Sequence, residues 1–255
     1  MEEYRNSKSR NERLVSARRG EDASYANLSA DARDARLLAE LTDLVLNRHQ
    51  GDADAAFHLA TRAGVSPEDM ADYYIPAVAR DLGAQWCTDE LGFAEVTIGS
   101  ARLQAMLREL GESWTADHGM NPDASTVLLV VADGVHHTLG AFVLSGQLRR
   151  KGLSVRLLLG ATPQNINESF ELTQFDAVFI SSNIGDNLES LRKIVDSIRT
   201  SRGNPPPVVI GGTLLETNAD VVALTGTDYI AKTVDEAIAL CNLRTKPRIN
   251  AAMDQ

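Results

Sequence analysis

The amino-acid sequence predicts an α/β domain with a flavodoxin-like, doubly wound parallel sheet of five strands, preceded by a four-helix bundle cap. Apolar residues recur at helical spacing up to about Trp114, whereas after residue 125 short apolar runs alternate with helical segments. The short runs are rich in Val, Ile and Leu without polar alternation, which is typical of strands buried on both faces of a parallel sheet. Five strand–helix units follow one another before residue 245.

The N-terminal part is predicted to be a tail followed by the cap. Residues 1–27 are rich in Arg and Lys and lack apolar periodicity, so we expect a disordered basic tail. The cap bundle, residues 28–114, contains four helical patterns joined by short connections. Its third helix has the clearest start, because Ser66-Pro67-Glu68-Asp69 combines an N-cap residue, a proline and an acidic first turn. The helices are predicted to begin near Ser29, Ala53, Pro67 and Phe93.

The C-terminal part is predicted to be a separate domain. Residues 115–124 are polar, contain Gly and Pro and form a predicted linker, the α/β domain spans 125–245, and 246–255 form a tail. The predicted strands are Thr126–Ala132, Ser154–Leu159, Ala177–Ser181, Pro207–Ile210 and Tyr229–Ala231. The predicted helices between and after them are Thr138–Lys151, Gln164–Thr173, Asn187–Thr200, Leu214–Leu224 and Thr233–Leu243.

Composition narrows the classes of function. The formal net charge of −10 argues against a DNA-binding surface across the whole protein, although the basic tail leaves a weak DNA or partner contact open. The two cysteines, Cys87 and Cys241, lack metal-ligand spacing and suggest unpaired thiols in a reducing compartment. No apolar run approaches the length of a bilayer span, and the start has no apolar signal region. We therefore expect a cytoplasmic protein without a membrane partner.

Residues with functional chemistry cluster in the loops that follow the predicted strands. In a parallel α/β sheet these loops lie at the carboxyl edge, where ligands bind. His137 follows the first strand, and Gly140 three residues later leaves room for a large flat ligand. Taken alone, such a histidine is more often a helix cap or a solvated residue. The candidate binding residues at this edge are Asp133, His136, His137, Gly140, Ser181, Asn183, Gly211 and Gly212.

This set of residues favours a metal-centred organic cofactor over a phosphate or a hydrolytic site. A phosphate site needs a glycine-rich loop before the first helix, and that position here holds His136-His137. The serines at the end of the third strand have only distant histidines as candidate bases. The sequence thus predicts a binding protein and not an enzyme.

His137-x-x-Gly140, then Ser181, then Gly211-Gly212 resembles the motif of the cobalamin-binding domain, Asp-x-His-x-x-Gly, Ser-x-Leu and Gly-Gly, over about residues 125–243. The resemblance implies that His137 is the lower axial ligand of cobalt. It also implies that Ser181 bonds the displaced base of the cofactor, and that Gly211-Gly212 lets the backbone pack against the nucleotide tail. Two positions depart from the motif: Val135 replaces the acid that would orient the histidine, and Asn183 stands where the motif has leucine.

The helical half carries a second resemblance, through the segment from Tyr74 to Trp86 and then Asp89 to Glu95. It resembles the four-helix cap of corrinoid proteins and light-sensing regulators, in which a tryptophan at the place of Trp86 covers the upper face of the corrin. The Glu-His pair that completes the upper site there is replaced by Val96-Thr97. The alternative for Trp86 is a core residue of the bundle. Together with Val135-His136-His137, these features are most similar to the AerR/PpaA antirepressors of photosystem genes.

The resemblance implies a transcriptional regulator that binds hydroxo- or adenosylcobalamin and responds to light. It also implies that this regulator is an antirepressor, which acts on a DNA-binding repressor of the CrtJ/PpsR type. Three alternatives remain open. The first is a corrinoid carrier of a methyltransferase. The second is a haem sensor on the same fold, with iron held by His136 or His137. The third is a domain that binds no ligand and acts through protein surfaces.

Overall fold

The computed structural model describes residues 30–47, 53–116, 124–135, 137–201 and 204–245. The whole of the predicted basic tail and of the predicted C-terminal tail, most of the predicted linker, and His136 lie outside the described residues. The chain divides into two compact units, residues 1–106 and residues 107–255. Each unit has its own buried core.

The first unit contains the helical cap. Its elements are α1 (Ala30–Leu46), α2 (Ala53–Arg62), a third helix α3, and the first part of α4 (Phe93–Ala116). Helix α3 is built from Pro67–Asp69, a π-helical segment Met70–Tyr74 and Ile75–Cys87. The four predicted helices are therefore present. Their buried side chains include Leu37, Leu41, Val45, Met70, Ile75, Val78, Leu82 and Leu103.

Local signals in the sequence set the boundary between α2 and α3. Gly64 follows α2 with a φ of 76°, a left-handed conformation that glycine adopts without steric cost. The hydroxyl of Ser66 then accepts a hydrogen bond from the backbone N–H of Asp69, which satisfies one free donor of the new helix. Pro67 takes the first helical position, where a missing N–H costs nothing.

Helix α4 crosses the boundary between the two units. The predicted cap, 28–114, assigned this helix to the first domain, whereas the compact units divide between Met106 and Leu107. Within the second unit the ring of Trp114 is buried against the helix Leu139–Arg150, over Gly146 and the guanidinium of Arg150. The last part of α4 is thus part of the hydrophobic packing of the α/β unit.

The second unit is a five-stranded parallel sheet in the order β2-β1-β3-β4-β5. Its strands are β1 (Thr126–Ala132), β2 (Ser154–Ala161), β3 (Ala177–Ser182), β4 (Val208–Gly212) and β5 (Tyr229–Ile230). The predicted flavodoxin-like fold class is confirmed. The interior strand β1 has six of its seven residues buried, as expected for a strand covered by helices on both faces.

Helices cover both faces of the sheet. On one face α5 (Leu139–Arg150) and α9 (Val234–Leu240) pack on Val127, Leu129 and Phe179. On the other face α6 (Pro163–Leu172), α7 (Leu188–Thr200) and α8 (Val221–Thr225) pack on Leu128, Val130 and Ile180. In the described part of the chain no helix is both long enough and apolar enough to cross a bilayer.

The predicted helix 214–224 is wrong in one respect, because the chain forms two short helices there. A 3-10 helix, Thr213–Glu216, ends where the hydroxyl of Thr217 donates a hydrogen bond to the carbonyl of Leu214. Helix α8 then starts with Asp220 as N-cap, whose carboxylate accepts from the N–H of Ala223. Side chains that bond to nearby backbone groups compete with a continuous helix, and here they divide it.

Candidate functional site

The topology of the sheet opens a crevice between β1 and β3. These strands are neighbours, but β1 leads into α5 on one face of the sheet and β3 leads into α7 on the other. The two loops therefore leave the sheet in opposite directions, and ligands of open α/β sheets bind at such a switch point. The loop 133–138 and the loop that follows Ser182 border this crevice.

His137 lies on the first of these loops with its side chain available. The residue is exposed, and its imidazole makes no hydrogen bond or ion pair to any residue that the structure describes. Its backbone carbonyl accepts a hydrogen bond of 3.3 Å from the side-chain amide of Asn183 on the second loop. The backbone is thus connected to the neighbouring loop, while both ring nitrogens are free to bind a metal.

Gly140 lies in the first turn of α5, one helical turn after His137. It is exposed, and a Cβ built at this position would have no atom within 4 Å. Any side chain would therefore occupy open space beside the His137 loop, whereas glycine leaves that space to a ligand.

Among the described residues just before His137, neither Asp133 nor Val135 bonds to its imidazole. Val135 is half-buried and packs on the core between the sheet and helices α6 to α8. The carboxylate of Asp133 lies toward the end of β2, 3.8 Å from where a Cβ of Gly160 would be. No bond from Asp133 to His137 occurs among the described residues, and the predicted site residue His136 is not described.

The two serines at the end of β3 have different environments. Ser182 is 1% exposed, and its hydroxyl donates a hydrogen bond of 2.9 Å to the carbonyl of Gly211. Ser181 lies on the opposite face with Phe179, toward α5 and α9, because side chains alternate along a strand. It is half-buried, and its hydroxyl has no partner among the described residues. Ser181 is therefore the serine that can bond a ligand.

Gly211 and Gly212 allow β3, β4 and the segment after β5 to approach one another closely. A Cβ on Gly211 would lie 2.9 Å from the carbonyl oxygen of Ala231, and one on Gly212 would overlap the carbonyl oxygen of Ser182. Gly212 also has a φ of 107°, which disfavours other residues. The two glycines are thus required by the chain itself, and their contact with a ligand stays a prediction.

The loop after β3 is fixed by a turn and by a bond to the residue that follows β4. The N–H of Asn183 donates to the carboxylate of Asp186 at 2.8 Å, and the N–H of Asp186 donates back to the carbonyl of Asn183. The N–H of Ile184 donates to the hydroxyl of Thr213. Sequence reasoning missed Asp186, since it belongs to no ligand-binding pattern, and placed Thr213 after the fourth strand without including it among the site residues.

Trp86, the predicted upper-face residue, lies near the end of α3 in the first unit. Its side chain is 50% exposed, so the alternative of a core residue is wrong. Phe93 and Ile98 are also exposed, whereas Thr97 donates its hydroxyl to the carbonyl of Phe93. Whether Trp86 covers a cofactor stays a prediction.

Comparison with known proteins identifies the family. The model of the B12 binding domain matches residues 125–241. A Rhodobacter capsulatus protein, described as an uncharacterized 20.5 kDa protein in the bchF-crtJ intergenic region, is 36% identical over 186 residues, which cover 73% of this chain and 97% of the relative. The chain belongs to the B12-binding domain family.

The structure of the monomethylamine corrinoid protein of Methanosarcina barkeri is similar to this B12-binding protein. It superposes with a TM-score of 0.62 at 15% identity, over 81% of this chain and 97% of that one. At this identity the similarity shows the fold. It supports the assignment of a parallel sheet preceded by a helical region.

The residues of this B12-binding domain fit a corrinoid. Cobalt accepts imidazole nitrogen as a ligand, and the imidazole of His137 has no other partner among the described residues. The open space over Gly140, in the first turn of α5, and the half-buried hydroxyl of Ser181, at the end of β3, lie at the same edge of the sheet. Cobalamin binding is thereby supported by the family and by the chemistry of the site, and nothing in the comparisons supports haem.

Proposed function

We propose that this protein is a cobalamin-binding transcriptional regulator without catalytic activity, which acts as an antirepressor on a DNA-binding repressor of the CrtJ/PpsR type. The observation that carries this proposal is the exposed residue His137 at the switch point of a B12-binding sheet, with the half-buried Ser181 at the end of the neighbouring strand.

In this role His137 would hold the cobalt of the cofactor, and Ser181 would bond its base. Cobalamin would supply a metal centre with an exchangeable ligand. Gly140 leaves space for the ring, and the Asn183 amide holds the loop that carries the histidine. Cobalamin can regulate the protein only if it binds one conformation of the protein more tightly than another, because this difference in affinity shifts the equilibrium between the two conformations.

Two observations support a regulatory role. The Rhodobacter relative is described by its position next to crtJ, and a repressor of the CrtJ type is the partner that the AerR/PpaA resemblance implies. The net charge of −10 fits a protein partner better than DNA. Val135, which packs in the core, replaces the acid that tunes the histidine in the motif of the resemblance, and this disfavours a carrier of methyl groups.

The first test is cofactor uptake. Purified protein is incubated with hydroxocobalamin or adenosylcobalamin in the dark, passed through a desalting column, and its absorption spectrum is recorded before and after illumination. We expect stoichiometric retention with a spectrum of histidine-ligated cobalt, and loss of that spectrum in His137→Ala. The control is His58→Ala, which removes an exposed histidine on α2, far from the His137 loop in sequence. This variant should bind cobalamin as the unchanged protein does. Absence of retention, or a Soret band after purification instead, contradicts cobalamin binding.

The second test is the effect on a repressor. A CrtJ-type repressor bound to its operator is mixed with this protein, with and without cobalamin, and release of the DNA is measured by fluorescence anisotropy. We expect release that depends on cobalamin and fails with His137→Ala. Transfer of a methyl group to or from bound cobalamin by an added methyltransferase would instead favour a corrinoid carrier.

A further inference from the structure

We infer that Asn183 is a positioning residue, which holds the His137 loop in place of the acid that the cobalamin motif has two residues before its histidine. This inference rests on the proposed binding of cobalamin through His137. It gives Asn183 a role through the protein rather than by contact with the cofactor.

The side-chain amide of Asn183 links the two loops that border the crevice. Its Nδ2 donates to the carbonyl oxygen of His137 at 3.3 Å, across 46 positions of sequence. Another bond ties the start of this loop to β2, because the N–H of Asp133 donates to the carbonyl of Ala161. The N–H of Val135 donates to the carbonyl of Ala132, and the carbonyl of Thr138 accepts from the first turn of α5. The Asn183 amide thus sets the position of the histidine relative to β3.

Asn183 is itself held firmly enough to act on the histidine loop. Its backbone is fixed by the reciprocal bonds with Asp186. The next residue, Ile184, donates to Thr213 after β4, and β4 in turn accepts the hydroxyl of Ser182 through Gly211. Bonds therefore run from the His137 loop through the β3 loop to the end of β4. A side chain at 183 that cannot donate would disconnect the histidine loop from this network.

No described residue replaces the missing acid at the ring of His137. Val135 packs in the core, Asp133 lies toward β2, and the imidazole has no described partner. The orientation of a metal-bound histidine usually depends on groups that bond to it from outside the metal site. In this chain the described support reaches the main chain of His137, and the residue that supplies it stands where the motif has leucine.

The test uses Asn183→Leu in the full chain with hydroxocobalamin as the probe. Leucine has a similar size but donates no hydrogen bond. We expect its dissociation constant to rise roughly tenfold, the lower end of what loss of a supporting group costs a metal site. We also expect the acid midpoint at which protons displace the imidazole from cobalt, read from the absorption spectrum, to move to higher pH, because a less favourably placed imidazole competes less well for the metal.

A matched control separates positioning from general stability. Asn187 caps α7 in the same loop through bonds from the N–H groups of Glu189 and Ser190. Asn187→Ala should lower the melting temperature but leave the acid midpoint unchanged. An equal midpoint for Asn183→Leu and the unchanged protein would overturn the inference, as would an equal shift in Asn187→Ala.

A double-mutant cycle tests whether Asn183 acts through His137. If it does, adding Asn183→Leu to His137→Ala causes no further loss of affinity, because the ligand that it positions is already gone. Additive losses would show direct contact with the cofactor and overturn the inference. If His137→Ala binds too weakly for the cycle, the acid midpoint decides alone. If the unchanged protein fails to bind hydroxocobalamin, the proposed function itself is contradicted. If it binds and Asn183→Leu ligates cobalt equally well, only the inference about Asn183 is overturned.

Discussion

The indole ring of Trp114 covers Gly146 so closely that a Cβ at position 146 would lie 2.9 Å from the ring carbon Cζ3. On the same ring the guanidinium of Arg150 lies 4.1 Å from the centroid. The end of α4 therefore packs directly on α5, the helix that follows the His137 loop. A single residue without a side chain makes this contact possible.

Gly146→Ala should destabilise the second unit by about 1–3 kcal/mol, since the added methyl group must displace the buried ring. Gly111→Ala on α4 is the control, because its Cβ would have no atom within 4 Å and alanine favours a helix. Urea unfolding can be followed by the fluorescence of Trp114 in a Trp86→Phe background, which leaves one tryptophan in the chain. Equal midpoints for the two alanine variants would contradict the packing.

Gly212→Ala should lower the free energy of unfolding by more than the strain of a positive φ alone. The new Cβ would overlap the carbonyl oxygen of Ser182 in addition to the strain at a φ of 107°. Together we expect a loss of about 3 kcal/mol or more. Gly226→Ala is the matched control, because Gly226 has a φ of 75° but its nearest contact would be an ordinary one, 4.0 Å from Val195. That variant should lose about 1 kcal/mol in the same urea measurement, and a loss as large as that of Gly212→Ala would argue against the overlap.

The hydroxyl of Tyr74 donates a hydrogen bond of 2.6 Å to the carboxylate of Asp34 in the first unit. Tyr74 is 6% exposed, so Tyr74→Phe leaves Asp34 without its donor and should cost about 2 kcal/mol. Tyr73→Phe is the control, because Tyr73 is 51% exposed. Thermal unfolding followed by circular dichroism measures both. No difference between the two variants would contradict the energetic role of this bond.

The same pair predicts a dependence of stability on pH. Burial and the bond to Asp34 raise the pKa of Tyr74 well above its usual value. The folded state then keeps the phenol protonated where the unfolded chain, with a pKa near 10, has lost its proton. The contribution of Tyr74 to the free energy of unfolding should therefore be constant below pH 10, and the free energy of unfolding should fall as the pH rises above 10. In Tyr74→Phe this part of the slope should be absent, and an unchanged slope in denaturation at pH 9 to 11 would refute the assignment.

The two thiols should differ in reactivity. Burial, and secondly the charge of Asp228, raise the pKa of Cys241 to about 11, whereas Cys87 is exposed at the end of α3. Because the thiolate is the reactive form, iodoacetamide at pH 8 should label Cys87 first and Cys241 at least about tenfold more slowly. Peptide mass spectrometry gives the two rates, and a Cys87→Ser variant isolates the slow one. Equal rates would show that Cys241 is not shielded.

The sheet was predictable because its signals are local and repeated. The predicted bounds of β1 match the observed ones residue for residue. The run consists of one Thr and six apolar residues, and the polar residues on either side leave no other choice of bounds. The predicted helix at 214–224 was wrong, because side-chain bonds of Thr217 and Asp220 to the backbone outweigh apolar spacing. Strand β4 runs two residues farther than predicted, through Gly212, since glycine there lets neighbouring strands approach.

The site was predictable in its loops but not in its connections. His137, Gly140 and Ser181 lie at the carboxyl edge of the sheet, as expected from their places at or after the ends of predicted parallel strands. Two features could not be derived from sequence. Ser181 and Ser182 look equivalent in sequence, and only alternation along the actual strand assigns their faces. The bond from Asn183 to His137 joins loops that are far apart in sequence, so no local pattern indicates it.

The short β5 has a consequence for association between molecules. Two residues of the strand pair with β4, so this border of the sheet presents very little unsatisfied main chain on which a foreign strand could grow. On the far border the eight-residue β2 is longer, but it carries the exposed cation of Arg156. Charge on one border and brevity on the other should therefore disfavour growth of the sheet from one folded molecule to the next.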